Sequence, residues 1–171
     1  LLIAQSASQD WDMVIVPRSA FSAIGVDPGT KAEYMRDQVA ELDTALSTVE
    51  GDATRKRIEA AKARLEEKLN AALDQAGKDL GLTFEASGCD YLFVDEAHEF
   101  KNLARTSGIV ELSNLGSNRA SDMDLKLAYL RSMRREDAVT NGIPADDYIE
   151  RVATFATGTP VANSVSYTHL T

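Results

Sequence analysis

Two adjacent carboxylates, Asp95 and Glu96, directly follow an apolar run at residues 91–94. Gly88 bounds the run upstream and a polar cluster bounds it downstream, so the pattern predicts a strand buried on both faces, as in a parallel sheet. In open α/β sheets the ligand lies beyond the carboxyl ends of the strands. Paired acids there suit a magnesium nucleotide, because one can hold the hydrated metal while the other orients or deprotonates the attacking water. An ordinary acidic strand end is the alternative, and spacing alone leaves both open.

A second polar turn, Thr157-Gly158-Thr159-Pro160, follows a predicted buried strand at residues 151–156. Gly158 permits a close backbone approach, and the hydroxyl groups of Thr157 and Thr159 can sense a phosphate or an acid. If the two strands are neighbours, this turn lies beside the acid pair. Taken alone, the turn is more typical of a routine strand end.

Further elements are predicted around these two turns. Residues 11–17 (WDMVIVP) predict the first of three parallel strands, and Arg18 and Ser19 follow at its carboxyl end. Residues 31–80 carry two apolar stripes at helical spacing, broken at Gly51, and predict two antiparallel helices that protrude from the sheet. Residues 102–121 are rich in Gly, Ser and Asn and predict a long loop. Ser121 or Asp122 is predicted to cap a last helix that runs to about Arg135.

Composition predicts one globular domain: the 171 residues are 44% apolar and 26% charged. The single cysteine excludes an internal disulfide and fits a reducing cytoplasm. No apolar run approaches the roughly 20 residues of a membrane helix, and the two histidines lack the spacing of a zinc site. The net charge of −9 argues against a nucleic-acid surface. The locally basic stretch from Lys101 to Arg135 leaves two possibilities open, a solvated helix face and a phosphate-facing one.

The residues from Asp95 to His98 read DEAH, and Lys101-Asn102 follows. This motif resembles motif II of superfamily 2 helicases, and its Lys-Asn extension resembles the Swi/Snf-type DNA translocases. The turn at Thr157, with Asn163 downstream, resembles motif III of that family (TGTPxxN). The resemblance covers residues 11–164, and the helical pair resembles insertions in methylase–helicase proteins of phages and plasmids.

The resemblance implies an α/β fold, a partial RecA-like lobe formed by residues 1–30 and 81–164 with residues 31–80 inserted as a helical hairpin. It implies ATP hydrolysis coupled to movement along double-stranded DNA, with ATP and Mg²⁺ as cofactors, a second RecA-like lobe as partner and no membrane. In the reaction, the resemblance implies that Asp95 binds magnesium through water and that Glu96 acts as general base or water-positioner. It implies that His98 couples motif II to motif III, and that Thr157, Gly158 and Thr159 relay the nucleotide state. The DNA contacts that it implies are Ser19, Lys101 and Asn102.

Two parts of that family pattern are missing: the sequence has no GxxxxGK[ST] loop and no second lobe. Because the chain starts at Leu1, we expect it to be an excerpt of a longer protein and to be inactive alone. Residues 165–171 (VSYTHLT) lack a helical period, resemble translated sequencing adapter, and are expected to be non-native. Two alternatives stay open, an RNA-directed helicase of the same superfamily and a non-catalytic interaction module that uses the hairpin.

Overall fold

The computed structural model describes residues 2–9, 11–75, 81–100 and 118–158. Predictions about Lys101, Asn102, Thr159, the loop after residue 101 and the tail at 165–171 lie outside these residues. The elements in chain order are helices α1 (Leu2–Ser8), α2 (Arg18–Ala23), α3 (Pro28–Thr48) and α4 (Asp52–Gln75), a 3-10 turn (Glu85–Ser87), strand β1 (Leu92–Val94), a 3-10 turn (Ala97–Phe100), helix α5 (Asn118–Thr140), a 3-10 turn (Ala145–Asp147) and strand β2 (Ala153–Phe155).

The sheet in this part of the chain consists of β1 and β2, which pair in parallel. Leu92 lies opposite Ala153, and Val94 lies opposite Phe155. The Leu92 amide donates to the Val152 carbonyl at 3.0 Å. Both strands lie where the apolar runs predict them, so a parallel pair within an otherwise mostly helical α/β chain is confirmed.

The predicted first strand is wrong. Residues 11–17 form no strand in the structure, which has two strands among its described residues rather than three. Met13 and Ile15 are 66% and 86% exposed, whereas Val16 packs against the core. An apolar run becomes a strand only where a neighbour accepts its backbone hydrogen bonds, and the described residues offer this segment no such neighbour.

Burial of β1 on both faces is also wrong. Val94 is buried, but Phe93, which points to the opposite face, is 75% exposed. Successive side chains of a strand point to opposite faces of the sheet, and the described core covers one face. The exposed ring of Phe93 contacts the ring of Tyr91, with centroids 5.1 Å apart.

One hydrophobic cluster joins the sheet to the helices. Its buried members come from α2, the segment before β1, strand β1, the turn Ala97–Phe100, α5 and the residue before β2. They are Phe21, Phe84, Val94, Ala97, Phe100, Met123, Leu127, Leu130 and Val152. Gly88, with φ of 70°, ends the turn before β1 in the left-handed conformation that favours glycine.

The two helices predicted over residues 31–80 form as α3 and α4 and pack on each other. Asp27 caps α3, because its carboxylate accepts from the Gly29 amide at 2.7 Å. A small cluster of Ala32, Met35 and Ala72 is buried between the helices. The Tyr34 hydroxyl donates to Asp124 of α5 at 2.5 Å and ties α3 to the rest of the molecule.

Helix α5 is longer at both ends than the sequence predicts, since it starts at Asn118 and ends at Thr140. Lys126 within it is completely buried, so this member of the basic stretch faces neither solvent nor a ligand. No helix in the described ranges is long and apolar enough to span a membrane.

Candidate functional site

The acid pair lies on the turn that leaves β1. The Asp95 carboxylate accepts from the Glu96 amide at 2.9 Å, and the Glu96 carbonyl accepts from the Glu99 amide at 3.0 Å. Both acids are exposed. Glu96 has φ of 51°, the single positive φ at a non-glycine position among the described residues. A left-handed non-glycine residue costs free energy, and such residues cluster at functional sites.

The end of β2 reaches the same turn. The Ala156 amide donates to the Val94 carbonyl at 2.8 Å, and the Ala97 amide donates to the Ala156 carbonyl at 2.9 Å. The parallel ladder therefore continues past both strands and fixes Thr157 beside the residues that follow the acid pair.

His98 connects the two strand ends. Its Nδ1 lies 3.0 Å from Oε2 of Glu96 and 3.5 Å from Oγ1 of Thr157. A protonated Nδ1 can donate to the carboxylate, which leaves the Thr157 hydroxyl at the outer limit of hydrogen bonding. The ring thus contacts one residue of each predicted motif.

An open cleft of about 560 Å³ lies over these groups. Its volume is in the range of small-ligand sites. The cleft is lined by Arg18, Ser19, Asp95, Glu96, His98, Glu99 and Phe100.

Several residues predicted from the sequence meet at this cleft, namely Ser19, Asp95, Glu96 and His98. Thr157 joins them through its contact with His98. Gly158 follows Thr157 but is exposed, and a Cβ atom there would meet no atom within 4 Å. The described neighbours therefore do not require glycine at this position.

Sequence reasoning missed Arg18, Glu99 and Arg119 as parts of the site. Both arginines form ion pairs with the same carboxylate oxygen, Oε2 of Glu99, and the Arg119 contact is 2.9 Å. The three residues are far apart in the chain and show no periodic or motif signal. Only the fold brings them together.

No group of three or more His, Cys, Asp or Glu side chains in the described ranges could hold a metal ion. Mg²⁺ commonly takes one or two carboxylates and fills its other positions with water and phosphate oxygens. Asp95, with Glu96 beside it, could supply such a carboxylate.

A family model described as a probable helicase domain matches residues 2–171. No curated protein and no solved structure matches the chain. Because the family match extends over nearly all of its length, the chain belongs to the family of probable helicase domains.

Proposed function

We propose that ATP is hydrolysed at this cleft, as part of a superfamily 2, Swi/Snf-type translocase that moves along double-stranded DNA. In this proposal the described strands belong to the first RecA-like lobe, and α3 and α4 form an antiparallel helical hairpin inserted into it. The observation that carries the proposal is the parallel pairing of β1 with β2, which brings DEAH and the Thr157 turn to one edge of the sheet.

The roles in this proposal are those that the resemblance to superfamily 2 helicases implies, and the proximity of Ser19, Asp95, Glu96 and His98 in the cleft supports them. Asp95 would hold Mg²⁺ through water, and the ion would supply positive charge that neutralises the phosphates. Glu96, 3.0 Å from the His98 ring, orients or deprotonates the attacking water. His98 couples Glu96 to Thr157, with which its ring is in contact. Thr157, Gly158 and Thr159 relay the nucleotide state, and Ser19, Lys101 and Asn102 are the proposed DNA contacts.

The sequence contains no GxxxxGK[ST] loop to surround the phosphates. The proposed activity therefore belongs to a protein in which this chain works with such a loop and with a second RecA-like lobe. In that protein ATP occupies the cleft between the lobes, and duplex DNA stimulates its hydrolysis.

Replacing Glu96 by Gln in the full-length protein tests the proposal. The amide keeps the size of the side chain but cannot accept a proton, so we expect ATP turnover to fall by about 100-fold or more. Binding of ATP, measured by titration with a fluorescent analogue, should stay nearly unchanged. The matched control is Glu67→Gln on α4, an exposed carboxylate outside the cleft.

Equal turnover in the Glu96→Gln and Glu67→Gln proteins would remove Glu96 from the reaction. Stimulation of turnover by duplex RNA but not by duplex DNA would replace the DNA translocase with an RNA-directed helicase.

A further inference from the structure

The carboxylate of Glu99 joins three elements at the edge of the cleft. Glu99 lies in the turn Ala97–Phe100, and its Oε2 forms ion pairs with Arg18 of α2 and Arg119 of α5. Hydrogen bonds between guanidinium and carboxylate groups are charge-assisted and directional. One oxygen atom therefore links α2 and α5 to the turn that follows the acid pair.

The backbone of Glu99 contacts the acid pair directly. Its amide donates to the Glu96 carbonyl at 3.0 Å, while the Glu96 side chain lies 3.0 Å from His98. A shift of the Glu96 backbone must therefore either break this hydrogen bond or move Glu99.

Helix α2 is also held at its other end. The buried ammonium group of Lys126 donates to the Phe21 carbonyl at 2.8 Å and lies 4.2 Å from the centroid of the Phe21 ring. Since α2 has six residues, contacts at Arg18 and Phe21 leave it little freedom to move independently. Ser19, beside Arg18 in the same helix, lines the cleft.

We propose that Glu99 is a positioning residue that transmits the state of the acid pair to α2, and so sets how strongly DNA stimulates hydrolysis. The proposal rests on the proposed function and adds a route for the coupling: Glu96 backbone, Glu99 side chain, Arg18, Ser19. Side-chain exposures of 48% for Arg18 and 35% for Glu99 imply that the ion pair adds little to global stability. Its role is to hold α2 in position relative to the turn that follows the acid pair.

The test compares ATP turnover with and without duplex DNA in the full-length protein. We expect Glu99→Gln to lower the ratio of stimulated to basal turnover by about fivefold or more. The control is Glu150→Gln, which removes a similarly exposed ion pair, the one with Arg135 at 2.9 Å, outside the cleft lining. Thermal unfolding should show matched stability for the two variants.

Arg18→Gln and the double variant Arg18→Gln/Glu99→Gln complete a double-mutant cycle. If the two side chains act through each other, the double variant lowers the ratio no further than either single change. Additive losses, or a ratio in Glu99→Gln equal to that in Glu150→Gln, would overturn the coupling role while leaving hydrolysis in place. Absence of any Glu96-dependent turnover would instead contradict the proposed function, and the coupling role with it.

Discussion

At the scale of single residues, Glu96 combines an unusual backbone conformation with the carboxylate proposed to activate water. Its φ of 51° places it in the left-handed region that an L-residue with a Cβ atom adopts at a cost. Two backbone hydrogen bonds hold the chain at this position. The Ala97 amide donates to the Ala156 carbonyl, and the Glu99 amide donates to the carbonyl of Glu96 itself. The surrounding hydrogen bonds thus maintain a conformation in which the carboxylate points to the His98 ring.

The left-handed conformation at position 96 costs glycine less free energy than it costs alanine. Glu96→Gly and Glu96→Ala both remove the side chain and its contact with His98, so they differ mainly in backbone preference. We expect the glycine variant to have the higher free energy of unfolding, by about 1 kcal/mol. Urea denaturation of both variants measures the difference. Equal stability, or a more stable alanine variant, would show that the left-handed conformation at this position is not maintained.

At the scale of elements, α5 fixes α2 through a buried charge. The Lys126 ammonium group forms an ion pair with Asp122 at 2.8 Å and a hydrogen bond with the Phe21 carbonyl. Burial lowers the pKa of Lys126, an effect that the hydrogen bond and the charge of Asp122 partly oppose. The lysine is therefore a core residue that links two helices, although its type and its basic neighbours suggested a surface position.

Replacing Lys126 by Met removes both polar contacts and keeps most of the side-chain volume. We expect the free energy of unfolding to fall by about 1–3 kcal/mol, because Asp122 loses its partner and α2 loses its link to α5. The control, Lys56→Met at an exposed position of α4, should change it by less than about 0.5 kcal/mol. Urea denaturation of the two variants at neutral pH measures both values.

The same comparison has a defined pH dependence. Since the pKa of Lys126 lies below 10.5 in the folded chain, the unfolded chain keeps this proton over a pH window in which the folded chain loses it. Stability due to this group therefore rises with pH as pH passes from the folded pKa toward 10.5. The stability difference between the original protein and Lys126→Met should increase across that window, and a decrease would contradict the lowered pKa.

Particular elements show how much of the fold could be predicted from the sequence. The apolar runs before Asp95 and Thr157 both form strands, because each finds the other as a hydrogen-bonding neighbour. The run at residues 11–17 is equally apolar but forms no strand, since strand formation depends on a partner that sequence pattern alone cannot identify. The two helices α3 and α4 could be predicted because their apolar spacing is a local property.

The site was predictable where a motif marked it and unpredictable where only tertiary contact did. Asp95, Glu96 and His98 stand together in one short segment, and the fold brings Ser19 and Thr157 to them. Arg18 and Arg119 meet at Glu99 across long stretches of chain, and long-range ion pairs leave no trace in spacing.

At the scale of the whole molecule, the proposed function depends on two distant segments reaching one edge of the sheet. The net charge of −9 does not favour a general nucleic-acid surface. The DNA contact proposed for Ser19 is therefore expected to be local, at the edge of the cleft that this residue lines. The Thr157 turn lies beside the acid pair only if the parallel ladder between β1 and β2 extends to Ala97 and Ala156.

Native-state hydrogen exchange of individual amides, measured by NMR, tests this ladder most directly. The amides of Leu92, Ala97 and Ala156 donate across the pair, so they should exchange at least about 100-fold more slowly than the amides of Val14 and Ile15 in the open segment. Exchange of Ala97 and Ala156 as fast as that of Val14 and Ile15 would show that the strand ends do not meet. The acid pair and the Thr157 turn would then have no common cleft.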